Sequence, residues 1–185
     1  MSNLKELTYE QHRRAETRPF VKILFKGDID PELYATYLYN QFPMYELLET
    51  FAMSAGLVSD IPEILRSKAI YADFKSLWTY DEFPQQLPVV KKYLDHLMTI
   101  KDDPKKLMAH MYVRHMGDLS GGQMIAKRVP GPNNMYTFDC DIEDLKNRVR
   151  AKITDDMVDE ARICFDFAAE TFDDMMKLYE AANEQ

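Results

Sequence analysis

Three of the six glycines in the chain, Gly117, Gly121 and Gly122, crowd into one short window of a segment, Pro104 to Lys127, that otherwise reads as helix. Each interior glycine costs a helix roughly 1 kcal/mol relative to alanine, so three together ask for a compensating contact. At about 100° per residue Gly117 and Gly121 share a face, Asp118 lies beside them, and Arg114 stands one turn before Asp118. Two readings are open: a seam against which another helix packs closely, or a slim surface that lets a flat ligand approach the backbone beside a carboxylate. A phosphate loop is excluded, because Gln123 and Met124 stand where Lys and Ser/Thr are required and no strand precedes them.

A second group gathers near the amino end, where Leu4, Leu7 and Ala15 form an apolar stripe and Lys5, His12 and Glu16 cluster at its edge within about 40°. Lys5 and His12 are two turns apart, about 10 Å along a helix, comparable to the span from the centre of a porphyrin to its carboxylate rim. Glu16, one turn after His12, could accept the Nδ1 proton and leave Nε2 free for a metal. A solvated helix edge is the alternative. His96, His110 and His115 show no partner pattern and read as satisfied or surface histidines. With no Glu-x-x-His and no His-Glu-x-x-His in the chain, His12 as a lone protein ligand suits haem better than a bare ion. Between Asp141 and Ile153, Lys146 and Arg150 line one helix edge, and Arg148 and Lys152 nearly the opposite one. Such edges fit a solvated basic helix, or a clamp for ligand carboxylates on one side and an acidic partner on the other.

The elements that must position these groups read as all-α. Period-2 alternation is nearly absent, whereas Met157, Ala161, Phe165, Ala168, Phe172, Met176 and Tyr179 trace a helical stripe with Thr154 as its N-cap. Arg18-Pro19 closes the first helix, Gly27 follows a helix C-terminus, and Asp30-Pro31 opens a long helix that Pro43 should kink. Asp60 is expected to open a helix running toward Trp78. A loop over 79–88, helices from Val89 to Ile100 and from Asp103-Pro104 onward, and a strong break over Val129 to Asn134 complete the pattern. No repeat or low-complexity tract divides the chain, so one domain is expected over 1–185.

At 185 residues, 46% apolar and 29% charged, the chain is an ordinary globular composition able to bury about 70% of its unfolded surface. Its net charge of −8 argues against nucleic acid or an anionic membrane as the main partner. Cys140 and Cys164 are isolated and suggest a reducing, cytoplasmic setting. The longest uncharged stretch, Leu33 to Tyr45, is too short and polar to span a bilayer, and no secretory or anchoring segment is expected.

Three separate segments resemble the haem oxygenases. Tyr112 to Gln123, YVRHMGDLSGGQ, is similar to that family's distal-helix signature; Gln11 to Glu16, QHRRAE, to its proximal-histidine segment; and Leu145 to Arg150, LKNRVR, to its propionate-binding stretch. Val113 and His115 depart from the threonine and tyrosine usual in the signature. The resemblance, nearly chain-long though weak in the middle, implies a multi-helix fold with haem between a proximal N-terminal helix and a kinked, Gly-rich distal helix. It implies His12 as axial iron ligand oriented by Glu16, and Lys5, Tyr112, Lys146 and Arg150 as holders of the propionates. Gly117 and Gly121 would let the distal backbone lie against the haem, while Asp118, Arg114 and Tyr45 would order water near bound oxygen.

The implied activity is O2- and electron-dependent cleavage of haem b at a meso carbon, the α carbon by family expectation, to biliverdin, carbon monoxide and ferrous iron. Asp118 acting through water would be a gentler proton donor than a histidine or arginine placed over the oxygen. No flavin or NAD motif is present, so electrons come from outside; the resemblance implies ferredoxin, with Arg148, Lys152, Lys127 and Arg128 as docking charges, and a bilin reductase as a possible consumer of the product. A haem carrier or sensor on the same scaffold would keep His12 and the propionate clamps but would not need Asp118. A thiamin-degrading or di-iron helical relative is disfavoured by the missing Glu-x-x-His and by the surroundings of the two cysteines.

Overall fold

The structure, a computed structural model, describes residues 1–184. Its helices run in the order α1 (Leu4–Leu7), α2 (Tyr9–Glu16), α3 (Pro19–Lys26), α4 (Pro31–Ser54), α5 (Ser67–Leu77), α6 (Pro88–Ile100), α7 (Pro104–Leu119), α8 (Gly121–Ile125), α9 (Ile142–Arg150) and α10 (Val158–Asn183). Single 3-10 turns at Pro62–Ile64, Asn134–Tyr136 and Asp155–Met157 link them, and no strand occurs among the described residues.

Two long helices frame the molecule. α4 packs against α5, α6 and α7, and α10 against α2, α3, α6 and α7, so α7 is gripped between them. One continuous core joins Leu4, Phe20, Leu24, Leu38, Leu48, Tyr93, Leu97, Leu107, Val149 and Met175. Each large apolar side chain fully removed from water contributes roughly 1.5–3 kcal/mol.

Several helix starts follow local chemistry. Asp30, Asp103 and Asp141 each accept a hydrogen bond from the backbone N–H three residues on, Leu33 at 3.2 Å, Lys106 at 3.1 Å and Asp144 at 2.8 Å, with proline at the first helical turn of α4 and α7. Gly27 ends α3 in the left-handed region at φ 90°, where a side chain is strained.

Other expectations need correction. The amino-terminal helix is not continuous: Thr8 (φ −108°, ψ 10°) separates α1 from α2, its hydroxyl donating back to the Leu4 carbonyl at 2.8 Å. Leu7 is 39% exposed and does not belong to the buried stripe. Thr154 precedes a 3-10 turn, and α10 itself opens at Val158. Asp60 opens no α-helix; α5 begins at Ser67, and its cap comes from a distant place. The carboxylate of Glu49, on α4, accepts from the backbone N–H groups of Arg66 at 2.7 Å and Ser67 at 2.9 Å. A buried carboxylate at a helix N-terminus satisfies otherwise unpartnered donors and complements the dipole.

Candidate functional site

The helical run through the glycine window stops at Ser120 (φ −117°, ψ −94°), which divides α7 from α8. Gln123 fastens the break, its side-chain amide donating to the carbonyls of Asp118 at 3.0 Å and Tyr136 at 2.9 Å. The three glycines then separate by role. A Cβ on Gly122 would sit 2.7 Å from the Tyr136 ring and 3.2 Å from the Gly117 carbonyl, so Gly122 serves packing. A Cβ on Gly117 or Gly121 would meet nothing within 4 Å, and both residues are exposed. No helix packs on that strip, which rules out the seam reading for these two and leaves a slim, open backbone surface.

Asp118 is buried beside this strip. The Tyr45 hydroxyl, from α4, shares its hydrogen between the two carboxylate oxygens at 3.0 and 2.9 Å. Burial raises the Asp118 pKa to about 7, while His115, the Tyr45 hydrogen bond and Arg66 pull the other way. The carboxyl can therefore both hold and release a proton near neutral pH.

Arg114 does not pair with Asp118. Its Nε donates to the Tyr93 hydroxyl at 3.0 Å, and its guanidinium lies 4.2 Å from the centroid of the Tyr93 ring and 5.6 Å from that of Tyr45. Tyr93 lies on the apolar stripe of α6 and was not singled out in the sequence; only its buried hydroxyl marks its polar role. His115, one of the departures from the family signature, is fully buried. It faces the Met111 carbonyl at 2.9 Å through Nδ1 and the Glu49 carboxylate at 2.8 Å through Nε2. Burial alone would raise the Glu49 pKa, but His115 and the N–H groups of Arg66 and Ser67 outweigh it and hold it below the usual carboxylate value. This buried pair ties α7 to α4 behind the glycine strip and was not visible in the sequence.

On α2, His12 is half-exposed and stacks on Phe165 of α10, ring centroids 5.2 Å apart at 20°. Beyond it along the chain, Arg14 pairs with Asp166 and Arg18, at the start of α3, with Asp173, fixing this part of the chain on α10. Glu16 is next to the ring as expected, but its Oε2 lies 3.4 Å from Nε2 and not beside Nδ1. A half-turn of the exposed ring about its Cβ–Cγ bond carries Nε2 to the place Cε1 now holds, so offering Nε2 to a ligand requires the ring to turn away from Glu16.

The four expected carboxylate-binding residues lie on α1, α7 and α9. Lys5 is exposed. Tyr112 is buried, and burial raises its pKa, with Arg150 lowering and Glu6 raising it, so charges from α1 and α9 converge on the α7 phenol. Lys146 lies 3.3 Å from Glu143, and Arg150 donates to Asn147 at 3.0 Å, each within its own helix. Of the proposed docking charges, Lys127 and Arg128 are exposed. Arg148 and Lys152 are instead engaged with Asp60, Arg148 with its carbonyl and Lys152 with its carboxylate at 2.8 Å. These contacts turn both side chains toward Asp60 in this structure, while Arg148 stays exposed.

The donor set fits an iron porphyrin: a lone accessible imidazole, a backbone strip open where side chains would intrude, and cations on neighbouring helices. Comparison with known proteins agrees. The family described as "Heme oxygenase" matches residues 1–174. "Heme oxygenase 2" of Macaca fascicularis is 36% identical over 135 residues, 67% of this chain but 42% of its own length, so the chain spans under half of that relative. "Heme oxygenase" of Pyropia yezoensis is 28% identical over 201 residues, covering 94% of this chain and 84% of its own. The crystal structure of heme oxygenase-2 from Synechocystis sp., in complex with heme and NO, superposes with a TM-score of 0.84 at 27% identity, covering 97% of this chain and 86% of that one.

Proposed function

Since this chain belongs to the haem oxygenase family, we propose that it cleaves haem b oxidatively at a meso carbon, the α carbon by family expectation, giving biliverdin, carbon monoxide and ferrous iron. The observation that carries this reading is the open strip over Gly117 and Gly121 beside a buried carboxyl whose pKa is about 7. Haem would supply the iron at which oxygen is activated and the carbon that is attacked; seating it and moving protons fall to the protein.

His12 would hold the iron through one ring nitrogen, and Glu16 would accept the hydrogen of the other. As a neutral imidazole it would donate less electron density to the iron than a thiolate does. Gly117 and Gly121 admit the porphyrin plane and leave room for water. Asp118, held by Tyr45, delivers protons through that water and takes them up again. Arg114, clamped by Tyr93, keeps a positive charge near the carboxyl without capturing it. A carrier or sensor would gain nothing from burying a carboxyl there at a cost in desolvation.

Lys5, Tyr112, Lys146 and Arg150 hold the propionates and so fix which meso edge faces Asp118. Lys146 and Arg150 exchange their neighbours in α9 for the ligand, a small loss because exposed pairs contribute only about 0–1 kcal/mol. Electrons come from a soluble reductant, ferredoxin in our reading, docking at Lys127 and Arg128. Among the described residues no helix is long and apolar enough to cross a membrane.

Adding haem and then reduced ferredoxin or ascorbate in air tests the proposal: the Soret band should bleach as bilin absorption grows. Persistence of the Soret band, or a His12→Ala variant whose iron coordination spectrum matches that of the unaltered protein, would overturn it.

A further inference from the structure

Away from the residues assigned to haem, three side chains from three helices converge. His96 on α6, His110 on α7 and Glu160 on α10 bring one ligand atom each to within 4.8 Å of one another, the one such grouping of three among the described residues. His110 Nε2 is 2.8 Å from Glu160 Oε1, and His96 Nε2 reaches the same oxygen. His110 is fully buried, Glu160 is 9% exposed and His96 is 22% exposed, so the cluster is roofed by protein with its mouth at His96.

We propose that His96, His110 and Glu160 bind one divalent first-row transition-metal ion, Zn2+ or Fe2+. Two imidazoles and a carboxylate are a recurrent ligand set for both ions, with the remaining positions taken by water. Tetrahedral coordination at M–N of about 2.0–2.1 Å places ligand atoms about 3.3 Å apart. Closing on an ion therefore asks the present cluster to adjust by about an ångström or less on its short edges. Water and the fourth ligand can enter beside His96.

The surroundings of His110 favour ligation. Its Nδ1 lies 2.7 Å from the Tyr93 hydroxyl, which also accepts from Arg114. A phenol oxygen has two lone pairs, so Tyr93 can accept from Nδ1–H as well, freeing the Nε2 lone pair for metal. That is the outer hydrogen bond that metal-binding histidines nearly always make. Helices α6, α7 and α10 pack directly on one another, so the three ligands stand on a rigid frame.

The test uses the full chain free of haem and stripped with EDTA, titrated calorimetrically with Zn2+ in air and separately with Fe2+ under argon. One ion should bind per chain for at least one of the two metals, and the comparison identifies which. His96→Ala, at the cluster's mouth, should keep the helical circular dichroism and weaken binding by at least about tenfold, since even outer partners of metal ligands cost 10–100-fold. Glu160→Gln should do the same, while His12→Ala should bind as the unaltered protein does. X-ray absorption at the bound metal's edge should show two imidazoles. The inference fails if the folded protein binds neither ion saturably, if His96→Ala binds as tightly as the parent, or if His12→Ala abolishes binding.

Discussion

Asp118 is where the chemistry of single residues is most exposed to measurement. Its carboxyl titrates at 3.8 in an unstructured chain and at about 7 in the fold, because burial disfavours the charged form. Between those values the native state holds a proton that the unfolded state has released. The stability contribution is thus complete below about pH 4 and is lost as pH rises toward 7. Asp118→Asn should gain on the parent between pH 5 and pH 8 by more than about 1 kcal/mol in denaturant unfolding, each pKa unit being worth about 1.4 kcal/mol. Parallel pH dependences for the two proteins would remove the burial argument. Tyr45→Phe deletes the hydrogen bond that pulls the Asp118 pKa down. It should move the alkaline limb of bilin formation to higher pH, readable from single-turnover rates, and cost roughly 1–3 kcal/mol of stability. How far the sequence displayed such roles differed by residue. Asp118 stood out because it interrupts a costly glycine window. Tyr93 did not, since an aromatic residue on an apolar stripe looks the same whether or not its hydroxyl has a partner.

At the scale of elements, helix ends set by neighbours in sequence were legible and those set by neighbours in space were not. Asp30, Asp103 and Asp141 announce α4, α7 and α9 from three residues away. The start of α5 depends on Glu49, which stands 17 and 18 residues before the N–H groups it receives, and Asp60 was the wrong candidate. The glycine window shows the same limit: spacing put Gly117 and Gly121 on one face but could not tell an open face from a packed one. The distinction predicts opposite outcomes. Gly122→Ala forces a methyl group against the Tyr136 ring and should lower the melting temperature markedly, while haem titration of whatever remains folded stays close to normal. Gly117→Ala and Gly121→Ala should melt at or above the parent temperature, since alanine favours helix by roughly 1 kcal/mol. They should nonetheless bind haem more weakly or give less bilin. Equal melting of all three variants would refute the division.

For the whole molecule, charge decides how a reductant arrives. A net charge of −8 repels an acidic electron donor at long range, so docking rests on a local basic patch. With Arg148 and Lys152 turned to Asp60, that patch reduces to Lys127 and Arg128 at the end of the distal segment. Lys127→Glu with Arg128→Glu should raise the KM for reduced ferredoxin several-fold at low salt. The gap should close in steady-state assays near 1 M salt, where the Debye length falls to about 3 Å. An unchanged KM at low ionic strength would locate the docking face elsewhere.

The fork of Arg66 has a reach beyond the site. Its guanidinium donates to the carbonyls of Glu63, Ile64 and Leu65 on one side and of Asn134, Met135 and Thr137 on the other, while the Asp73 carboxylate takes the N–H groups of Asn134 and Met135. The stretch behind Gly122 is thereby sewn to the α4–α5 corner at fixed length. A protein tag or sensor cassette spliced into residues 134–137 would pull these stitches and unseat Tyr136 from the distal break. The exposed tip at Asp81, Glu82 and Phe83 carries no such stitching to the break, and is the place to graft a foreign module onto this scaffold.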